Sequence, residues 1–88
     1  MHLRDAEPGT LLRARMNRRA SCAERWNNGR TTPDRYIREG DNAWCERWID
    51  HIGDHCLIVV HLDGTKSGWG EGVQDDMWEI VDAQDADT

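Results

Sequence analysis

Apolar and polar positions along this chain follow two different rhythms. Between residues 10 and 28, Leu12, Met16, Ala20, Ala23 and Trp26 fall on one stripe when successive residues turn by about 100°. Arg18 and Arg25 then lie opposite the stripe, Arg13 and Arg15 flank it, and Arg19 intrudes into it. The same residues also allow a strand, with Leu12, Ala14 and Met16 alternating against Arg13, Arg15 and Asn17. The length of the segment, its helix-forming composition and the Asn27-Asn28-Gly29 stop predict a helix. A loop with a short extended piece at Tyr36-Ile37 follows. Next, Trp44, Trp48 and Ile52 recur at every fourth position, with Asp41 suited to an N-cap and Gly53 to a C′ position. This predicts a short second helix. A strand with Trp44, Glu46 and Trp48 on one face is the alternative.

Beyond residue 55 the rhythm is that of strands. Cys56-Leu-Ile-Val-Val-His-Leu62 is rich in β-branched residues and reads as a buried strand. Asp63-Gly64 is a hairpin signal, and Thr65 to Trp69 is the returning arm. Gly68, Gly70 and Gly72 predict a bend or bulge around Trp69. After the polar turn Gln74-Asp75-Asp76, Met77 to Val81 is a third strand. The expected fold class is therefore α+β: an N-terminal helix and a short second helix packed on a three-stranded antiparallel sheet. Residues 1–9, ending in Pro8-Gly9, read as a flexible N-terminus, 10–81 as a single small domain and 82–88 as an acidic tail. The predicted core is Leu12, Met16, Trp26, Trp44, Trp48, Ile52, Leu57, Val59, Trp78 and Ile80.

The order within Leu57 to Val81 is strand, Asp-Gly turn, Thr-x-x-Gly-Trp arm, short polar turn, then Trp-Glu-Ile-Val. It resembles the last three strands of SH3-like small β-barrels, the family that includes Tudor-type modules. The resemblance implies a strand at residues 11–16, in place of the first helix, and ligand or peptide binding rather than catalysis.

Composition and charge narrow the classes. A chain of 88 residues is one domain and buries only about 60–65% of its unfolded surface. Five Trp, one Tyr and no Phe mean that indoles must supply much of the core, and any left outside are candidate binding anchors. Residues 1–40 hold nine arginines against five acids, a net charge of +4, while residues 41–88 hold Arg47 and Lys66 against twelve acids, a net charge of −10. Such a split gives the molecule a dipole or makes one half a partner for the other. The N-terminus lacks an apolar signal region and Cys56 to Val60 is too short to span a bilayer, so a cytoplasmic protein without membrane contact is expected. Three cysteines argue against a complete disulfide framework and read as reduced, partly buried side chains.

Candidate chemistry is sparse. Cys45, His51, His55 and Cys56 could hold Zn²⁺, but their spacing is that of no standard knuckle. The acids Asp63, Glu71, Asp75, Asp76, Glu79 and Asp82 show no cation-binding loop pattern and read as a solvated face. No nucleophile elbow or phosphate loop is present, so no enzyme activity and no cofactor are expected. Arg13, Arg15, Arg18 and Arg25 form the candidate nucleic-acid face. Opposing it, Trp69, Asp75, Asp76, Trp78 and Glu79 form the candidate protein-binding group, with Trp69 as the exposed anchor.

Together these features point to a non-enzymatic protein-binding module, an inhibitor or adaptor of a larger protein that presents a basic surface of the kind that binds nucleic acid. The alternatives are a nucleic-acid-binding domain using the arginine face and a small zinc-stabilised domain. In size, acidity and preference for Arg over Lys the chain is similar to the small acidic proteins of phages and mobile elements, anti-CRISPR inhibitors among them. That similarity implies action in a host cytoplasm against a nuclease.

Overall fold

The computed structural model describes residues 2–81, and it replaces both expected helices with strands. About 44% of the described residues are strand and 12% helical, so the molecule is mostly β rather than α+β. The strands are β1 (Leu11–Ala14), β2 (Arg18–Ala20), β3 (Arg35–Ile37), β4 (Asn42–His51), β5 (Asp54–His61), β6 (Lys66–Trp69) and β7 (Trp78–Ile80). Helical backbone is confined to the single turn α1 (Gln74–Met77) and two 3-10 turns, Leu3–Asp5 and Glu24–Trp26.

The first helix fails because its apolar stripe is also a strand alternation. Leu12 and Ala14 point inward and are buried, while Arg13 is half-exposed between them. Met16, on the predicted stripe, is exposed. Asn28 and Gly29 do take the left-handed conformation expected of a stop, but they end a 3-10 turn. The second helix fails for a different reason. Ala43 and Cys45 face the core while Trp44 faces out, a strand alternation. A bulge between Cys45 and Arg47 then shifts the phase, so that Trp48 turns inward. Trp44 and Trp48 therefore lie on opposite faces, and neither the helix nor the one-faced strand describes them. Ile52 and Gly53, read as a helix end, both have positive φ, 52° and 81°, and form the two-residue turn between β4 and β5.

Five antiparallel strands form one sheet in the order β6-β5-β4-β1-β7, and β2 pairs with β3 alone. The expected three-stranded sheet over 56–81 is thus split. β5 and β6 are neighbours, but β7 crosses to the far edge and pairs with β1, Leu12 opposite Ile80. The sheet is strongly curled. β6 and β7 are its opposite edges, yet the indoles of Trp69 and Trp78 meet edge-to-face at 5.8 Å. A flat sheet would hold those edges about 19 Å apart. Inside the curl lie Leu12, Leu57, Val59, Met77 and Trp78, with Ala20 and Ile37 of the β2–β3 arm closing one side. Of the predicted core, Leu12, Leu57, Val59 and Trp78 are buried, Trp26, Trp48 and Ile80 are partly buried, and Met16, Trp44 and Ile52 are exposed.

The N-terminal residues expected to be flexible are packed instead. Leu3 and Ala6 are buried in the core, and the Ala6 carbonyl accepts a 2.9 Å hydrogen bond from Trp48 Nε1. The acidic tail expected at 82–88 lies outside the described residues. No helix among the described residues is long and apolar enough to cross a membrane.

Candidate functional site

The segment joining β2 to β3 hooks around the edge of β6 and lays Trp26 on the outer face of the sheet. The seat for its indole is Gly68. A Cβ at that position would lie 2.8 Å from Trp26 Cε2, so the bare backbone is what lets the ring approach. Asn27, also buried, completes the hook. Its side chain accepts from the Lys66 amide at 2.9 Å and donates to the Lys66 carbonyl at 3.1 Å, as a neighbouring strand would. The edge of β6 is therefore covered at Lys66 by one amide side chain.

Beyond that cover a groove of about 460 Å³ opens between β2 and β6. Arg18, Arg19, Ala20 and Ser21 form one wall, Gly68, Trp69 and Gly70 the other, with Arg25, Trp26 and His51 at one side. The Arg18 guanidinium sits 5.9 Å from the centre of the Trp69 ring, and that of Arg25 sits 5.3 Å from Trp26. Arg25 Nη1 donates to His51 Nε2 at 2.9 Å, which makes that ring nitrogen an acceptor. Asp54 is the one carboxylate lining the groove, and Arg18, Arg19 and Arg25 have no ion-pair partner among the described residues. Cys56 also reaches the groove, where burial, helped by Asp54, Glu71 and Asp50, pushes its thiol pKa upward and favours the protonated form.

The protein-binding group expected from the sequence is not assembled as one exposed patch. Trp69, expected as the exposed anchor, is only 4% exposed, and its ring forms the floor under Arg18. Trp78 is fully buried against it. Glu79 accepts a 2.8 Å hydrogen bond from Arg13 Nε, and Arg15 Nη1 donates to the Asp75 carbonyl. Asp75 and Asp76 are exposed on α1. The arginine face is divided in the same way: Arg13 and Arg15 turn to the C-terminal acids, whereas Arg18 and Arg25 line the groove. Trp26 and Gly68 belong to no site expected from the sequence, and His51 is expected there only as a zinc ligand. Gly68 was the available signal, because a glycine inside a strand marks either a bend or a close approach, and here it is the approach of Trp26.

Other clusters are tied up internally. A cleft of about 620 Å³ is bordered by Arg4, Asp5, His55, Glu71, Gln74 and Asp75, of mixed charge. There Glu71 accepts from the His55 amide, and Gln74 donates to the carbonyls of His55 and Trp69. The candidate zinc ligands are dispersed. Cys45 is in the core near the Ala6 carbonyl, His51 faces Arg25, and His55 stacks on Trp48 and bonds Asp50. No group of three or more His, Cys, Asp or Glu among the described residues is placed to hold a metal ion. All three cysteines are free and buried. His61 is buried beside Ser67, whose hydroxyl accepts from Trp69 Nε1 at 2.9 Å and is hydrogen-bonded to His61 Nε2 at 2.8 Å. Burial, reinforced by Arg35, lowers the His61 pKa to about 4 and keeps the ring neutral.

Fold and groove together define a small curled-sheet domain with a cationic, indole-floored cleft. No family model, curated protein or solved structure matches the chain.

Proposed function

We propose that this protein is a non-enzymatic protein-binding module, an adaptor or inhibitor of a larger protein, and that it receives its partner in the groove between β2 and β6. The observation that carries the reading is the set Arg18, Arg19 and Arg25, unpaired with acids among the described residues and held along one cleft. Stacking on Trp69 and Trp26 restrains Arg18 and Arg25, so less side-chain entropy is lost when they meet a ligand. The partner surface is then acidic, the reverse of the basic surface that the C-terminal acids suggested. A curled-sheet scaffold carrying a peptide cleft is also what the SH3-like resemblance implies.

The same arginines favour nucleic acid as a second reading. Against it, the net charge of −6 repels a polyanion at long range. Trp69 is buried and Trp26 lies against Gly68, so neither indole offers a free face for base stacking. The test is capture of partners from a lysate, with and without nuclease treatment, by the tagged protein and by the Arg18→Ala/Arg25→Ala variant. A stoichiometric protein retained by the first and lost by the second is expected. Recovery of material that disappears with nuclease would overturn the protein-binding reading in favour of the nucleic-acid one.

A further inference from the structure

The groove has a feature that charge alone does not require: both of its walls are strand edges. β2 pairs only with β3, so its other edge is open, and it is β2 that lines the groove. On the opposite wall the orientation of the backbone follows from the hairpin. His61 N–H donates to the Thr65 carbonyl, which makes that pair hydrogen-bonded. Alternation along an antiparallel ladder then makes Lys66 opposite Val60, and Gly68 opposite Ile58, the pairs whose backbone groups point away from β5. Asn27 satisfies both groups of Lys66. The N–H and C=O of Gly68 point the same way, and no hydrogen bond reaches them among the described residues.

We infer that the groove receives an extended acidic segment of a partner protein, which adds as a strand beside Gly68 and β2 and directs carboxylates to Arg18 and Arg25. This rests on the binding-module reading and names its ligand class. Backbone bonds to Gly68 and to the β2 edge supply affinity, and the arginines select acidic side chains. An extended strand fits better than a helix, since an edge offers its donors and acceptors at the spacing of another strand.

The experiment uses the full chain and a short synthetic peptide of alternating glutamate and valine, with its lysine–valine counterpart as control. Binding is read by fluorescence anisotropy, and hydrogen exchange of the Gly68 amide by NMR. The glutamate peptide should bind and slow Gly68 exchange by about tenfold or more. The lysine peptide should not bind. Arg18→Ala/Arg25→Ala should weaken the glutamate peptide by about tenfold or more, with the amide spectrum otherwise preserved. Binding that depends on the arginines but leaves Gly68 exchange unchanged would overturn strand addition while leaving the binding-module reading intact. Absence of binding by a folded protein would overturn the acidic-segment proposal itself. A Gly68 amide protected in the free chain and exposed on truncation after Val81 would identify the chain's own acidic residues 82–88 as the occupant, overturning the partner assignment.

Discussion

His61 shows how one side chain links packing to pH. In the folded protein it stays neutral down to about pH 4, because burial and the nearby Arg35 disfavour its charged form. In the unfolded chain it protonates near pH 6.5. Between these values the unfolded state binds more protons, so stability falls as the pH drops from 6.5 towards 4 and recovers as it rises. The full loss is about 3 kcal/mol. Urea midpoints measured from pH 7 to pH 4.5 should fall accordingly, and His61→Gln, whose amide can still hydrogen-bond Ser67, should flatten the slope. An unchanged slope in that variant would assign the effect to the carboxylates instead. His61 itself was visible in the sequence only as the polar member of a β-branched run. Its protonation state is set by burial and by Arg35, neither of which the alternation pattern shows.

At the scale of elements, the β4–β5 turn carries an uncommon strain. Ile52 is 91% exposed, β-branched, and held at φ 52°, a region that disfavours a Cβ. Together with Gly53 it makes a turn that asparagine would occupy more comfortably. Ile52→Asn should raise stability by about 1 kcal/mol, read as a higher melting temperature. A loss of stability would mean that the exposed isoleucine makes contacts that outweigh its backbone strain. The neighbouring hairpin is the contrasting case. Asp63-Gly64 forms the expected turn, with Gly64 at φ 88° and Asp63 Oδ1 accepting from the Thr65 amide. There, turn residues and strand pattern agree, so the element was legible. In β4 they disagreed: a spacing of four puts Trp44 and Trp48 on one face of a helix or of a regular strand, and the bulge that moves Trp48 to the opposite face leaves no mark in that spacing.

For the whole molecule, closure depends on pairing between chain ends. β1 lies between β4 and β7, and its Leu12 pairs with Ile80 near the other end of the domain. This is a non-local topology, so refolding should take milliseconds to seconds rather than microseconds. Stopped-flow tryptophan fluorescence after dilution from urea would measure it. Trp78 joins the two sheet edges through Trp69 and is fully buried, so Trp78→Ala should cost about 3–5 kcal/mol. In a domain of typical stability that is enough to populate the unfolded state, visible in near-UV circular dichroism. The two charged halves do not stay apart at this scale. Arg13 meets Glu79 and Arg35 meets Asp63, so part of the charge asymmetry is neutralised inside the fold. Arg18, Arg19 and Arg25 line the groove without an ion-pair partner among the described residues.

The sequence by itself determined the β5–β6 hairpin, a core built on Leu12, Leu57, Val59 and Trp78, and an uneven distribution of charge. These follow from local causes: alternation, β-branching and a turn that only certain residues favour. Tertiary structure decided the rest. Whether Leu11–Ala14 is helix or strand depends on β4 and β7 being present on either side to pair with it. Which arginines are neutralised depends on which strands become neighbours. The groove exists because Trp26, more than forty residues before Gly68, finds that glycine bare and folds its loop over the edge of β6. No period along the chain encodes that meeting.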